Sequence, residues 1–287
     1  MTQPCVSGRM IFVPDELITN AGDLGEAPLY DTTVAHPARV YNYWLGGKDN
    51  FKADREAGER TKEAYPDIVA GVRAQREFLA SAVRYLVTRE GVRQFLDIGT
   101  GLPVANNTHE VAQSLAPESR IVYVDNDPMV LAHARALLNS TPEGACAFLD
   151  ADLRDTRKVL TAAAGLLDFS QPVAIILIGI LHLIPDSDDP AGIVARLLDG
   201  VPAGSWLAIA HPASDVAADQ VATMTQRYNQ RVSSAATLRT HAEISAFFNG
   251  TELLPPGVVQ YHQWHPGEPA RQVEGEVAAY CGLGRKP

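Results

Sequence analysis

The chain has 287 residues, 46% of them hydrophobic, enough for one large α/β domain with an added segment or for two small domains. Its formal net charge of −10 argues against a broad phosphate-binding surface, and so against nucleic acid as a partner. The three cysteines Cys5, Cys146 and Cys281 are too scattered for a disulfide framework or zinc site. The longest apolar run, Val173 to Leu181, is too short to span a bilayer. A cytoplasmic protein with no membrane partner and no metal is expected.

Residues 1–32 carry scattered Pro, Gly and Asp without periodicity and read as a draped arm. Next comes an unusual run, Tyr41-Asn42-Tyr43-Trp44-Leu45-Gly46-Gly47-Lys48-Asp49-Asn50-Phe51. Two readings stay open. One is a helix ended by Gly46, with Tyr41 and Trp44 packed on the core. The other is a lid: Tyr41, Tyr43, Trp44 and Asn50 would wall a ligand, with Gly47 and Lys48 reaching its anionic end. Ile68, Val72, Leu79, Val83 and Leu86 then recur at helical spacing, predicting a helix over 67–88 that Gly91 stops. Arg73, Arg76 and Arg84 on that helix read as a solvated face.

From Glu90-Gly91 onward strand and helix alternate, which places a boundary there. Residues 1–90 form an N-terminal arm and helical lid segment, and residues 91–287 a ligand-binding domain. Strands are expected at 94–98, 121–124, 145–148, 173–178 and 205–210. Helices are expected at about 104–115, 128–139, after Leu153 to near 165, 190–198 and 215–232. Thr240-His241-Ala242-Glu243 is a capping box opening a short helix that Asn249-Gly250 ends. Two late extended segments, 258–263 and 277–284, suit a hairpin closing a doubly wound, mostly parallel sheet.

The first strand runs into Asp97-Ile98-Gly99-Thr100-Gly101. Two glycines let a ligand approach the backbone, and the amides after them are expected to open a helix. A pyrophosphate would be repelled by Asp97, whereas a cationic amino-acid end would be attracted. Val104 also stands where the dinucleotide fingerprint needs a third glycine, which disfavours an NAD-dependent oxidoreductase. Asp125, beside Asn126, ends the second strand 24 residues after Gly101, placed to accept both ribose hydroxyls. Asp152 follows the third strand and would accept the adenine amine, with Leu153 against the ring. Together these point to S-adenosylmethionine (SAM).

The motifs YNYWLGGKDNF, FLDIGTGLP, VYVDND, DADLRD, ILHLIPDSDDP and GLGRKP give the chain a wider resemblance. From about Thr33 to Pro287 it resembles a bacterial SAM-dependent methyltransferase family long catalogued as a domain of unknown function. The resemblance implies the Rossmann-like class I methyltransferase fold, an α/β, doubly wound, seven-stranded sheet of order 3-2-1-4-5-7-6 with strand 7 antiparallel. It implies SAM as cofactor and S-adenosylhomocysteine (SAH) as product, but brings no methyl acceptor.

Methyl transfer asks the protein to align nucleophile, methyl and sulfur and to exclude water, with a base needed only for a protonated nucleophile. His182, just beyond the fourth strand, is the candidate base, or else it merely holds the following turn. His211, after the fifth strand, is a candidate for the acceptor pocket. His262 and His265 lack a third metal ligand at suitable spacing. The expected activity is methyl transfer to a small-molecule acceptor. A SAM-binding sensor without catalysis is the alternative, and the oligomeric state is left open.

Overall fold

A computed structural model describes residues 31–137, 139–265 and 277–287. The arm expected at the N-terminus therefore lies, up to residue 30, outside the described residues. Five parallel strands form the centre of one sheet: β1 (Gln94–Ile98), β2 (Arg120–Asp125), β3 (Ala145–Asp150), β4 (Ala174–Ile178) and β5 (Trp206–Pro212). β8 (Ala279–Arg285) adds antiparallel to β5, and β6 (Glu252–Leu253) adds antiparallel to β8, giving the order β3-β2-β1-β4-β5-β8-β6. With β8 standing as strand 7, this is the expected class I order. A further two-residue strand, β7 (Val259–Gln260), also pairs with β8.

Both faces of the sheet are covered, so these strands read as apolar runs. Leu96, Val122, Ile175 and Leu207 pack against α6 (Thr156–Ala163), α7 (Pro190–Asp199) and α9 (His241–Ala246). Their neighbours Phe95, Ile121, Ile176 and Ala208 point the other way, onto α3 (Ile68–Thr88) and α4 (Thr108–Leu115). The helix expected from its periodicity at 67–88 is thus a layer of the sheet domain.

Three expectations need correction. The segment after the glycines does not open a helix: α4 begins at Thr108, because Asn106 is left-handed (φ 62°) and Asn107 is the cap, its amide bonded to Glu110 Oε2 at 2.9 Å. α8 (Ala218–Asn229) is shorter than expected, beginning after a left-handed Ala217. Of the proposed hairpin, only Val259–Gln260 pairs with β8. Tyr261–Gln263 turns into a 3-10 helix, and residues 266–276 lie outside the described ones. The capping box at Thr240 forms as expected, its hydroxyl facing the Glu243 amide.

α1 (Pro37–Trp44) and α2 (Lys52–Ala64) form a hairpin locked by one buried carboxylate. Asp54 accepts bonds from the amides of His36 (2.9 Å) and Phe51 (2.7 Å) and from Arg39 Nε (3.0 Å). A charge this deep is tolerable because its oxygens are filled by donors, one of them cationic. The hairpin leans on α5 (Pro128–Leu137): Ala38 and Phe51 pack with Met129, Val130 and Leu102. His36 Nδ1 stands 2.9 Å from Asp127, and His133 Nε2 stands 3.3 Å from Asp49. Among the described residues no helix is long and apolar enough to cross a membrane.

Candidate active site at the carboxyl ends of the strands

The ends of β1, β2 and β4 open into a cleft of about 200 Å³, with α1 and α3 on its other side. Its floor is the turn after β1. Gly99 (φ 75°) donates its amide to Val124 O at 2.8 Å. A Cβ there would come within 2.5 Å of Ile180, so only glycine lets the turn lie against the loop after β4. Gly101 (φ 65°) donates its amide to Asp125 Oδ2 at 2.9 Å, and a Cβ on it would meet nothing within 4 Å. Thr100 lines the same floor.

Asp97 is buried, and among the described residues only Thr108 Oγ1 binds its side chain, at 2.6 Å. Burial pushes its carboxyl up to about 6, against the pull of the Thr108 bond and the Arg76 charge. Such a group gains strongly from a cation. Burial also raises Asp125, although the Asp127 and Gly101 amides partly offset it. Each Asp125 oxygen accepts one backbone amide, leaving acceptor capacity on both. Asp152 is differently placed. Arg154 grips it through Nη2 (2.6 Å) and Nε (2.9 Å), Asn126 Nδ2 reaches it at 3.3 Å, and the Arg154 bonds hold its pKa below the usual range. Asn126, Leu153 and Arg154 all line the cleft.

Two of the cleft's polar groups come from α3. Gln75 is 8% exposed, lines the cleft and makes no side-chain hydrogen bond among the described residues. Arg76 binds the loop before α4 through Nη2, to Asn106 O at 2.9 Å and Ala105 O at 3.2 Å, while its buried Nε has no partner among the described residues. Reading Arg76 as part of a solvated face missed this. The available signal was Gln75, a polar residue on the apolar stripe between Val72 and Leu79.

The aromatic run divides. Tyr41 and Trp44 line the cleft, Tyr41 with its phenol raised to about 12 by burial. Gly46 ends α1 as the helical reading requires. Tyr43 faces away and bonds Glu59. Asn50 stitches the turn to Asn42 Oδ1 (3.0 Å) and Gly47 O (2.9 Å), Gly47 lies under the Asn42 amide, and Lys48 is exposed. None of these last four lines the cleft. Tyr228 of α8 does, its ring 6.3 Å from Trp44.

The two histidines separate as well. His182 lines the cleft, with a buried Nδ1 that has no partner among the described residues. Burial and the nearby Arg239 guanidinium bring it down to about 4. His211 does not line the cleft. Its Nδ1 meets Pro212 O at 2.8 Å and its Nε2 meets Arg239 Nη1 at 2.9 Å, so both nitrogens are occupied. Arg239 also binds Leu181 O, Ile184 O and Asp186, pinning the turn that carries His182. Nothing in the local sequence signalled Arg239, which reaches the turn from 53 to 58 positions away.

A family model described as S-adenosyl methyltransferase matches residues 25–287. The chain belongs to the S-adenosyl methyltransferase family. A DUF574 family protein of Streptomyces avermitilis MA-4680 is 45% identical, with 90% of this chain and 99% of that chain covered and a TM-score of 0.86. A putative methyltransferase of Thermobifida fusca YX is 37% identical, covering 92% and 99%, with a TM-score of 0.82. The plantazolicin methyltransferase BpumL, 11% identical over 87% and 96% with a TM-score of 0.50, shares the fold alone. No curated protein matches the chain significantly. The methyltransferase takes SAM as its cofactor and returns SAH. The cleft fits that group: two carboxylates with open acceptor sites, the Gln75 amide, which has no side-chain partner among the described residues, and a glycine floor all line one space.

Proposed function

We propose that the methyltransferase acts on a small molecule inside this cleft, with the α1–α2 hairpin as its lid. The observation that carries the reading is convergence: Asp97, Asp125, Gln75 and Arg76 bring free bonding capacity to one space roofed by Tyr41 and Trp44. At about 200 Å³ the cleft is smaller than the roughly 300–1,000 Å³ usual for ligand sites, so the hairpin lifts to admit cofactor and acceptor. Because α3 is built into the sheet layer, the lid proper is α1 and α2 rather than the whole of residues 1–90. The buried free thiols of Cys146 and Cys281 support a cytoplasmic location.

Bound SAM supplies an electrophilic methyl carbon on a cationic sulfur. Asp97 holds the ammonium of its amino-acid end, and Arg76, in place of Lys48, takes the carboxylate with the Gln75 amide beside it. Asp125 and Asn126 hold the ribose. Asp152, already steadied by Arg154, edges the adenine over Leu153. Gly99, Thr100 and Gly101 present backbone. Tyr41 and Trp44 exclude water and place aromatic faces near the positive sulfur. His182 orients the acceptor by a hydrogen bond. With its pKa held near 4 it stores a proton poorly, which argues for positioning over general-base work.

Calorimetric titration with SAM, SAH and NADH tests the assignment. Micromolar binding of both adenosyl compounds and none of NADH is expected. Asp125→Ala should weaken SAM by about 1.5–3 kcal/mol, with a much smaller change in the ligand-free unfolding temperature. Unchanged SAM affinity in that variant would remove Asp125 from the ribose.

A further inference from the structure

We propose that the methyl acceptor is an uncharged aromatic compound bearing a hydroxyl group, seated against Tyr41, Trp44, Tyr228 and the turn carrying His182. The inference rests on the methyltransferase reading of the same cleft and deepens it by naming the acceptor's class.

Three observations carry it. First, once the strand-end acids, Gln75 and the arginines are assigned to the cofactor, the remaining wall comprises Tyr41, Trp44, Tyr228, His182, Leu183 and Ser234 together with aliphatic residues and His36, whose imidazole is paired with Asp127 at 2.9 Å. That wall has no carboxylate to receive an ammonium and no cation to receive a carboxylate, and an unpaired charge is costly to desolvate. Second, the Trp44 and Tyr228 rings stand 6.3 Å apart at 32°, one on each of two helices, an apolar panel matched to a flat ring. Burial keeps the Tyr41 and Tyr228 hydroxyls protonated, so the panel stays neutral. Third, His182 lines the cleft with its Nδ1 buried and unpartnered among the described residues, while Arg239 holds the turn still. One hydroxyl on the acceptor satisfies that group.

In the transfer, an oxygen lone pair forms the O–C bond as the C–S bond breaks, and the bonding pair remains on sulfur as neutral thioether. The hydroxyl proton goes to solvent. His211 cannot relay it, because both of its nitrogens are engaged.

The test uses benzene and naphthalene rings carrying a hydroxyl, a carboxylate or an aminomethyl group, matched in size and differing in charge. Binding to the SAH-loaded protein is followed by tryptophan fluorescence, and methyl ethers formed from SAM by mass spectrometry. Phenol or 2-naphthol should bind at least about ten-fold more tightly than the charged rings and yield the ether. Ser234→Asp, which adds a carboxylate to the wall, should move the preference toward the aminomethyl rings by about ten-fold at unchanged SAM affinity. Equal or tighter binding of a charged ring by the unaltered protein overturns the proposal, and so does SAM binding with no ring bound. Absence of SAM binding in calorimetry would instead overturn the methyltransferase assignment of the cleft, a separate failure.

Discussion

The sheet carries a hollow at each end, and the larger one has the weaker claim to chemistry. At the amino ends of the strands, a cleft of about 440 Å³ is lined by Arg93, Gln94, Glu118, Arg120, Asp168 and Arg285, among others. Its polar groups are largely occupied. Arg93 Nε meets Glu118 at 2.6 Å, Arg120 donates to Leu166 O, and the Gln94 amide is bonded to the Asp168 backbone on both sides. The carboxyl-end cleft has less than half that volume, yet among the described residues its lining includes Gln75 with no side-chain hydrogen bond and the buried, unpartnered Arg76 Nε and His182 Nδ1, and Asp97 is ionisable and buried. Volume measures room. Unspent hydrogen-bonding capacity in a buried place measures readiness for a ligand.

The largest effect that can break this contrast is at Asp97. Its carboxyl rises from an ordinary 3.8 to about 6 on burial, so the folded protein keeps the proton to a higher pH than the unfolded chain does. Ionisation therefore costs the ligand-free fold stability as pH climbs from about 4 to about 6, on the order of 3 kcal/mol once complete. Below both values the cost vanishes. A ligand ammonium reverses it by favouring the ionised form. SAM affinity should therefore increase between pH 5 and pH 7, with proton release on binding at the acid end, both readable by calorimetry in buffers of different ionisation enthalpy. Asp97→Asn should flatten the pH dependence and weaken SAM by roughly ten- to a hundred-fold near neutrality. A variant that keeps both the slope and the affinity would show that Asp97 does not face the amino end.

A smaller effect separates α3 from the glycine-rich turn of the lid. Arg76→Ala should weaken SAM by about ten-fold, whereas Lys48→Ala, altering an exposed side chain outside the cleft, should leave it unchanged. The reverse result would hand the carboxylate back to Lys48. The pair also shows what was legible in the chain. Asp97, Asp125 and Asp152 were readable because each ends or follows an apolar strand, and a parallel sheet gathers strand ends by topology. The helix over 68–88 was readable from its period for the same local reason, whereas the strand order came only from the family resemblance. Arg76, Tyr228 and Arg239 come from three segments spread over more than 160 positions, and what unites them is how the helices and loops pack, which no local pattern encodes. Lys48 was named because a lysine after paired glycines looks the same in sequence whether its turn faces a ligand or the solvent.

The smallest effect is expected at the amino end, where it sharpens the comparison by its absence. Arg93→Ala removes the contact with Glu118 and two bonds to the carbonyls of Val87 and Val92. Both charged partners are more than one-third exposed, so solvent already screens the pair and its loss should lower the unfolding temperature only slightly. SAM affinity and turnover should match the unaltered protein, because no atom of Arg93 borders the carboxyl-end cleft and β1 separates the two hollows. If Arg93→Ala instead reduced SAM affinity several-fold without lowering the unfolding temperature, the larger hollow would be coupled to the site. Satisfied polar groups would then be no guide to an idle surface. The strand between them is five buried residues, Gln94 to Ile98, in register with β2 and β4, and such a strand moves as a unit or not at all. Any coupling through it would therefore shift Asp97 itself and appear in the pH dependence of SAM binding, where it can be measured directly.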